Sequence, residues 1–200
     1  MDEPRIGLFG GSFNPPHLGH LIIASEICSF LSLEKVVFMP AALPPHKAIA
    51  AGVSAEQRIE MTRLATAGDE RFEVSGLEVE RGLSYTLDTV AEFRALHAGY
   101  RIYFIIGSDS LLQFGSWHQP GAILMLCRLA VAPRPGDDPV LISDESQRWG
   151  RQMVSVLPTT PIGISSSEIR GRVFSGLPAT YFVLPAVESY IVENGLYRPS

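Results

Sequence analysis

Short stretches of this chain are apolar at almost every position: residues 5–9, 35–39, 100–106, 126–132 and 153–157. Continuous runs of that kind suit strands of a parallel sheet whose two faces are both covered. Residues 72–74 and 77–79 read as two further strand segments around Ser75-Gly76. Between the runs, apolar positions recur every three or four residues, the period of a helix. Residues 18–31 carry Leu21, Ile22, Ile27, Phe30 and Leu31 on one wide stripe. Residues 54–67 open on Ser54-Ala55-Glu56-Gln57, the pattern of a capping box, and stop before Gly68. Another helix runs from Ser84-Tyr85-Thr86 through Val90 and Phe93 towards Gly99. A last one carries Val187, Tyr190 and Ile191 on one face and closes at Gly195, and its role is packing. The polar stretch 136–152 reads as a surface connection with room for a short helix.

Strand and helix alternate, so right-handed crossovers join strands that lie parallel. The expected fold class is α/β, a Rossmann-like open parallel sheet with helices on both faces. The length, 200 residues, suits a single domain over 1–200 with a short C-terminal helical portion.

The first strand discharges into Gly10-Gly11-Ser12-Phe13-Asn14-Pro15-Pro16-His17-Leu18-Gly19-His20. The two glycines let backbone N–H groups come close to an anion. The prolines suit a helix entry, where a missing N–H costs nothing. His17 and His20 then stand three apart in the first turn, on one side, with Gly19 leaving open space beside them. Turn donors, a positive helix end and two imidazoles make a phosphate seat. The spacing is neither that of a Walker A loop nor that of the dinucleotide fingerprint. A metal site is not expected, because no Cys or carboxylate cluster stands near the pair to complete a tetrahedron.

A second seat is Ile164-Ser165-Ser166-Ser167-Glu168-Ile169-Arg170. Three hydroxyls at a helix start, with an arginine one turn on, can face an anion; Ser165 and Glu168 also fit a plain capping box. Gly107-Ser108-Asp109 follows the 100–106 run at the same sheet edge, where Asp109 can cap a helix. Trp117 and His118 stand shortly after it, and Arg134 follows the 126–132 run. His46 and Lys47 lie in the loop 40–52, past the end of the second strand, where open α/β sheets bind ligands.

Charge narrows the partners. The formal net charge of -5 argues against a nucleic-acid footprint. No apolar run approaches a membrane span, and residues 1–5 lack the features of a signal peptide, so the expected location is the cytoplasm. Cys28 and Cys127 read as buried thiols.

The run Gly-Gly-Ser-Phe-Asn-Pro-x-His-x-Gly-His resembles the nicotinate-nucleotide adenylyltransferase branch of the His-x-Gly-His nucleotidyltransferase superfamily. Further elements are similar to that family: Pro-Pro-His-Lys at 44–47, Gly-x-Asp with Trp117, Arg-Pro-Gly at 134–136, the 164–170 motif with Ser167 in the place of a threonine, and the closing Pro-x-x-Val-x-x-Tyr-Ile. The likeness runs from Gly7 to Tyr197. It implies AMP transfer from ATP to nicotinate mononucleotide, with magnesium held mainly by the substrate phosphates. It also implies roles. His17, His20, Lys47 and Arg170 would act on the reacting phosphates. Gly10, Gly11, Ser12, Phe13, Gly19, Gly107, Asp109, Ser165, Ser166 and Ser167 would hold ATP. Tyr85, Thr86, Trp117, His118 and Arg134 would hold the pyridine mononucleotide. Nicotinamide mononucleotide or phosphopantetheine as acceptor, and a non-catalytic nucleotide sensor, stay open as alternatives, as does a homo-oligomer.

Overall fold

The computed structural model describes residues 3–42, 53–83 and 85–199. Six parallel strands form one sheet: β1 (Arg5–Gly11), β2 (Lys35–Pro40), β3 (Phe72–Val74), β4 (Arg101–Gly107), β5 (Arg128–Ala132) and β6 (Val154–Val156). Their order is β3-β2-β1-β4-β5-β6. The chain therefore reverses direction across the sheet between β1 and β4, and the loops leaving those strands diverge to open a crevice.

Side chains alternate between the two faces, and both are covered. Ile6, Leu8, Ile102, Phe104, Ile106, Leu129 and Val131 join one core with Val90 and Phe93 of α4 (Thr86–Leu96), Leu111 of α5 (Ser108–Gln113), Ile123 of α6 (Pro120–Leu126) and Ile142 of α7 (Pro139–Trp149). On the other face Phe9, Tyr103, Ile105 and Ala130 meet Ala24, Ile27 and Cys28 of α1 (Leu18–Phe30). A third cluster lies beyond the sheet. There Met61 and Ala65 of α2 (Ala55–Thr66) pack with Ile169 of α8 (Ser166–Phe174) and Val187 and Ile191 of α9 (Pro185–Glu193). Ser54 caps α2 as expected: its Oγ accepts from the Gln57 N–H, and Gln57 Oε1 accepts from the Ser54 N–H.

Several expectations need correction. Residues 77–79 are not strand but the start of α3 (Leu77–Arg81), closed by Gly82 at φ 62°. The Ser75 N–H donates to the Phe38 carbonyl and ends β3, and Glu78 and Glu80 suit the first turn of a helix. The polar stretch 136–152, by contrast, does hold the surface helix it had room for: α7, capped by Asp138 and mostly solvated, with Ile142 and Ser146 its buried positions. Leu126 ends a helix and does not begin β5. Phe30 is half exposed, because α1 meets the sheet through smaller residues that allow close approach. Among the described residues no helix is long and apolar enough to cross a membrane.

Candidate active site

β1 delivers Gly10 and Gly11 to the carboxyl edge of the sheet. A Cβ on Gly10 would stand 3.1 Å from the Phe104 ring, and one on Gly11 3.0 Å from the Phe13 ring. Phe13 takes a left-handed φ of 44°, which folds its ring back over Gly11 and into the core. It is buried, edge-on to Phe9 at 5.5 Å and to His20 at 5.0 Å. Phe13 can therefore meet a ligand only through its backbone, while its ring braces His20.

The acceptors of this turn are taken up by donors from three other elements. Ser12 O accepts from Arg58 Nη1 at 3.0 Å, and Asn14 O from Arg170 Nη1 at 2.8 Å. Pro15 O accepts from Ser166 Oγ at 2.8 Å, and Asn14 Oδ1 from the Tyr197 hydroxyl at 2.6 Å. A turn whose carbonyls are so occupied is left with N–H donors to offer an anion. Ser166 and Arg170 thus join the two seats physically. Arg170 Nη2 also donates to Ser167 Oγ at 3.1 Å, and Ser165 Oγ caps α8 by accepting from the Glu168 N–H.

His17 is the N-cap of α1, and its ring stacks on that of His20, centroids 3.7 Å apart and 28° from parallel. Its backbone N–H donates to His20 Nδ1 at 3.2 Å. An imidazole nitrogen that accepts carries no proton, so the proton of a neutral His20 sits on Nε2. His17 is 7% exposed. Burial first, and then the charge of Arg134, lower its pKa from 6.5 to about 4, so the ring is neutral at pH 7. His17 Nδ1 has no hydrogen-bond partner among the described residues. The space expected beside Gly19 is occupied: a Cβ there would stand 3.1 Å from both His17 Nδ1 and Ile162. Only glycine lets the ring lie down against the helix. The leading donor of α1 is also used internally, Leu18 N–H to Phe182 O at 2.9 Å.

Across the strand reversal, β4 ends at Gly107. A Cβ there would lie 2.6 Å from Asp109 Oδ1 and 3.1 Å from Arg134 Nε. Arg134 Nε stands 3.0 Å from Asp109 Oδ1, a charge contact without hydrogen-bond alignment. The Arg134 N–H donates to Ser108 Oγ and Asp137 Oδ2, and Ser108 bonds Asp137, fixing the turn after β5 against the start of α5.

The aromatic residues form a wing beside this edge. Tyr85 and His118, both exposed, lie 4.5 Å apart and 31° from parallel, beside Thr86 at the start of α4. Trp117 is half-buried and packs edge-on against Phe114 at 5.2 Å and Phe104 at 6.2 Å. It is anchored in the core beneath the same edge that Gly10 borders.

This geometry can be set beside known proteins. Residues 8–172 match the family described as Cytidylyltransferase-like. The chain is 42% identical to the "Probable nicotinate-nucleotide adenylyltransferase" of Pelobacter propionicus, over 96% of this chain and 98% of that one. The protein of the same name from Moorella thermoacetica is 40% identical over 98% of this chain and 92% of its own. The chain belongs to the nicotinate-nucleotide adenylyltransferase family. Among solved structures, Plasmodium falciparum nicotinic acid mononucleotide adenylyltransferase complexed with NaAD superposes with a TM-score of 0.79 at 19% identity, over 97% of each chain. The same enzyme complexed with APC gives 0.77 at 18%. At that identity the likeness speaks for the fold.

Membership in the adenylyltransferase family accounts for the motifs but not for everything holding them. Lys47 and His46 lie outside the described residues, as does Ser84. Arg58, Glu78 and Tyr197 carry no signal in the sequence, yet they bind the turn and the end of β2. Glu78 accepts from the Ala42 N–H at 3.2 Å and from Thr89 Oγ1 at 2.8 Å. Its partners are 36 and 11 residues away, beyond the reach of any local pattern.

Proposed function

We propose that this chain transfers AMP from ATP to nicotinate mononucleotide, giving nicotinate adenine dinucleotide and pyrophosphate. The observation that carries this reading is the stacked His17–His20 pair at the head of α1, with His17 neutral. It stands beside a glycine turn whose backbone carbonyls are taken up by Arg58, Arg170 and Ser166 and whose Asn14 side chain is held by Tyr197.

A phosphate oxygen of the mononucleotide attacks the α-phosphorus of ATP; the bond to the β-bridging oxygen breaks, and its electrons leave on pyrophosphate. The attacking phosphate is anionic at pH 7, so no general base is required. Catalysis then rests on positioning and on donors aimed at developing charge. His20 offers its Nε2–H to the transferred group, and His17 holds the His20 ring by its stack and its backbone N–H. Ser167 and the N–H groups of the turn receive phosphate oxygens, and Arg170 and Lys47 add positive charge. Gly107 and Asp109 border the ATP side.

Tyr85, Thr86, His118 and Trp117 receive the pyridine side, with Arg134 towards its phosphate. Backbone donors near Tyr85 and His118 suit the nicotinate carboxylate over an amide, whose own N–H groups would face those donors. The donors around the turn are imidazole, hydroxyl and guanidinium groups, and among the described residues no three His, Cys, Asp or Glu are placed to hold a metal ion together. That set fits magnesium carried on the triphosphate and water, where it would neutralise charge. The reaction is one of the cytoplasm, and no nucleic-acid partner enters it.

An acceptor panel with ATP and magnesium, read by pyrophosphate release, tests the reading. Nicotinate mononucleotide should be preferred over nicotinamide mononucleotide and phosphopantetheine. Release with another acceptor only, or ATP binding with no release for any, would overturn it.

A further inference from the structure

Arg58 is the one Lys, Arg, Asp or Glu among the described residues that is wholly buried. It sits on α2, away from the turn in sequence. Its guanidinium reaches across to donate from Nη1 to Ser12 O at 3.0 Å and from Nη2 to Ala41 O at 2.7 Å and Ala42 O at 3.3 Å. The Ala41 N–H in turn donates to Gly11 O at 2.9 Å. One planar fork therefore spans the glycine turn after β1 and the chain leaving β2. No carboxylate of the described residues pairs with it directly. Glu56 and Glu78 support its charge only at longer range, against a burial that lowers its pKa.

Burying a guanidinium against carbonyls alone is an expensive way to join two loops. A lysine could not make the same bridge, since its single ammonium does not present parallel donors in fixed directions. What the fork gains is direction: each carbonyl it takes is held towards the guanidinium.

We propose that Arg58 is a positioning residue for the adenylyl transfer reaction, fixing the anion-facing side of the Gly10–Asn14 turn relative to the end of β2. The inference rests on the reading of the reaction given above. Arg58 touches no substrate. It acts through the Ser12 and Ala41 carbonyls, so its loss lets the turn rotate and misplaces the donors for the triphosphate. A misplacement of about 1 Å is worth about a hundredfold in rate where positioning is the main catalytic device.

The test compares Arg58→Met and Arg58→Lys with the wild-type chain, using ATP, nicotinate mononucleotide and magnesium, with activity referred to the folded fraction at each temperature. Met fills the volume but leaves three carbonyls unpaired. The expected result is a loss of kcat of about tenfold to a hundredfold in Arg58→Met, with KM for ATP raised more than KM for the mononucleotide. Arg58→Lys should fall between it and wild type. Added guanidinium ion should restore part of the turnover of Arg58→Ala and none of that of His20→Ala. Wild-type kcat and KM in folded Arg58→Met would overturn the proposal, as would a loss equal in both KM values or fully explained by unfolding. If Arg58→Met does not fold, wild-type turnover in Arg58→Lys overturns it. A wild-type chain that releases no pyrophosphate with this acceptor defeats the functional reading itself, a separate outcome.

Discussion

The phenolic hydroxyl of Tyr197 donates to Oδ1 of Asn14 at 2.6 Å, tying the end of the chain to the turn that opens α1. Burial raises the Tyr197 pKa, so the group is a protonated donor at neutral pH. Apolar spacing assigns the C-terminal segment packing alone; through this one hydroxyl it also helps shape the phosphate seat. Tyr197→Phe keeps the ring and orphans the amide oxygen of a buried Asn14. The expected cost is about 1–2 kcal/mol, read as a lower urea midpoint. An unchanged midpoint would mean that water replaces the hydroxyl.

His17 gives stability a pH dependence of known sign. Below about pH 6.5 the unfolded chain takes up a proton at this residue, which the folded chain refuses until about pH 4. Stability should therefore fall as pH drops through that window, by up to about 3 kcal/mol from this group. His17→Asn should lose that part of the acid sensitivity. Urea unfolding at several pH values between about 7.5 and 4.5 decides it; parallel profiles for both proteins would exclude His17 as the source.

His20 should matter to rate more than to fold. It is only partly buried, and its Nε2 proton is aimed by the bond that Nδ1 accepts from His17. His20→Ala should lower kcat by about a hundredfold to a thousandfold, the usual cost of one well-placed donor. Circular dichroism should be unchanged. Turnover near wild type in the folded variant would remove His20 from the chemistry.

What the sequence made legible was local. The glycine turn, the prolines and the paired imidazoles lie within a few residues of one another, and so do Ser165 and Arg170. Their meaning depends on short-range geometry that spacing records. The strand runs were equally plain, because burial on both faces leaves no polar alternation. Arg58 was hidden: on a capped helix beside Glu56 it looks like a solvated charge, and its partner Ser12 lies 46 residues away. Glu78 was hidden twice over, since Leu77-Glu78-Val79 alternates like a strand and only the flanking glycines mark a helix. For α7 the sequence offered no more than room for a short helix, because most of its surface, Val140 and Leu141 included, stays in water.

Trp117 separates binding from packing. Its edge-on contacts with Phe104 and Phe114 mean that Trp117→Ala should cost about 2–3 kcal/mol of stability. Well below the unfolding range, KM for the pyridine mononucleotide should still rise far more than KM for ATP. Equal rises would show that Trp117 merely holds up the sheet edge and that the pyridine ring rests elsewhere, with Tyr85 and His118 the next surface to test.

Two glycines should respond to alanine in opposite ways. At Gly107 the backbone φ of -78° suits any residue, so the obstacle is space: the new Cβ would stand 2.6 Å from Asp109 Oδ1 and 3.1 Å from Arg134 Nε. Both of those side chains are part-exposed and can swing out, so the charge contact gives way before the fold does. Gly107→Ala should therefore change the urea midpoint little while lowering kcat/KM about tenfold or more, through displaced Asp109 and Arg134. Gly171 lies inside α8, and a methyl group added there would meet nothing within 4 Å. Gly171→Ala removes backbone freedom from the unfolded chain and should stabilise by about 0.5–1 kcal/mol without altering turnover. If Gly107→Ala proved as active as Gly171→Ala, Asp109 and Arg134 would be tolerant of position, and the edge after β4 would be scaffold, not site.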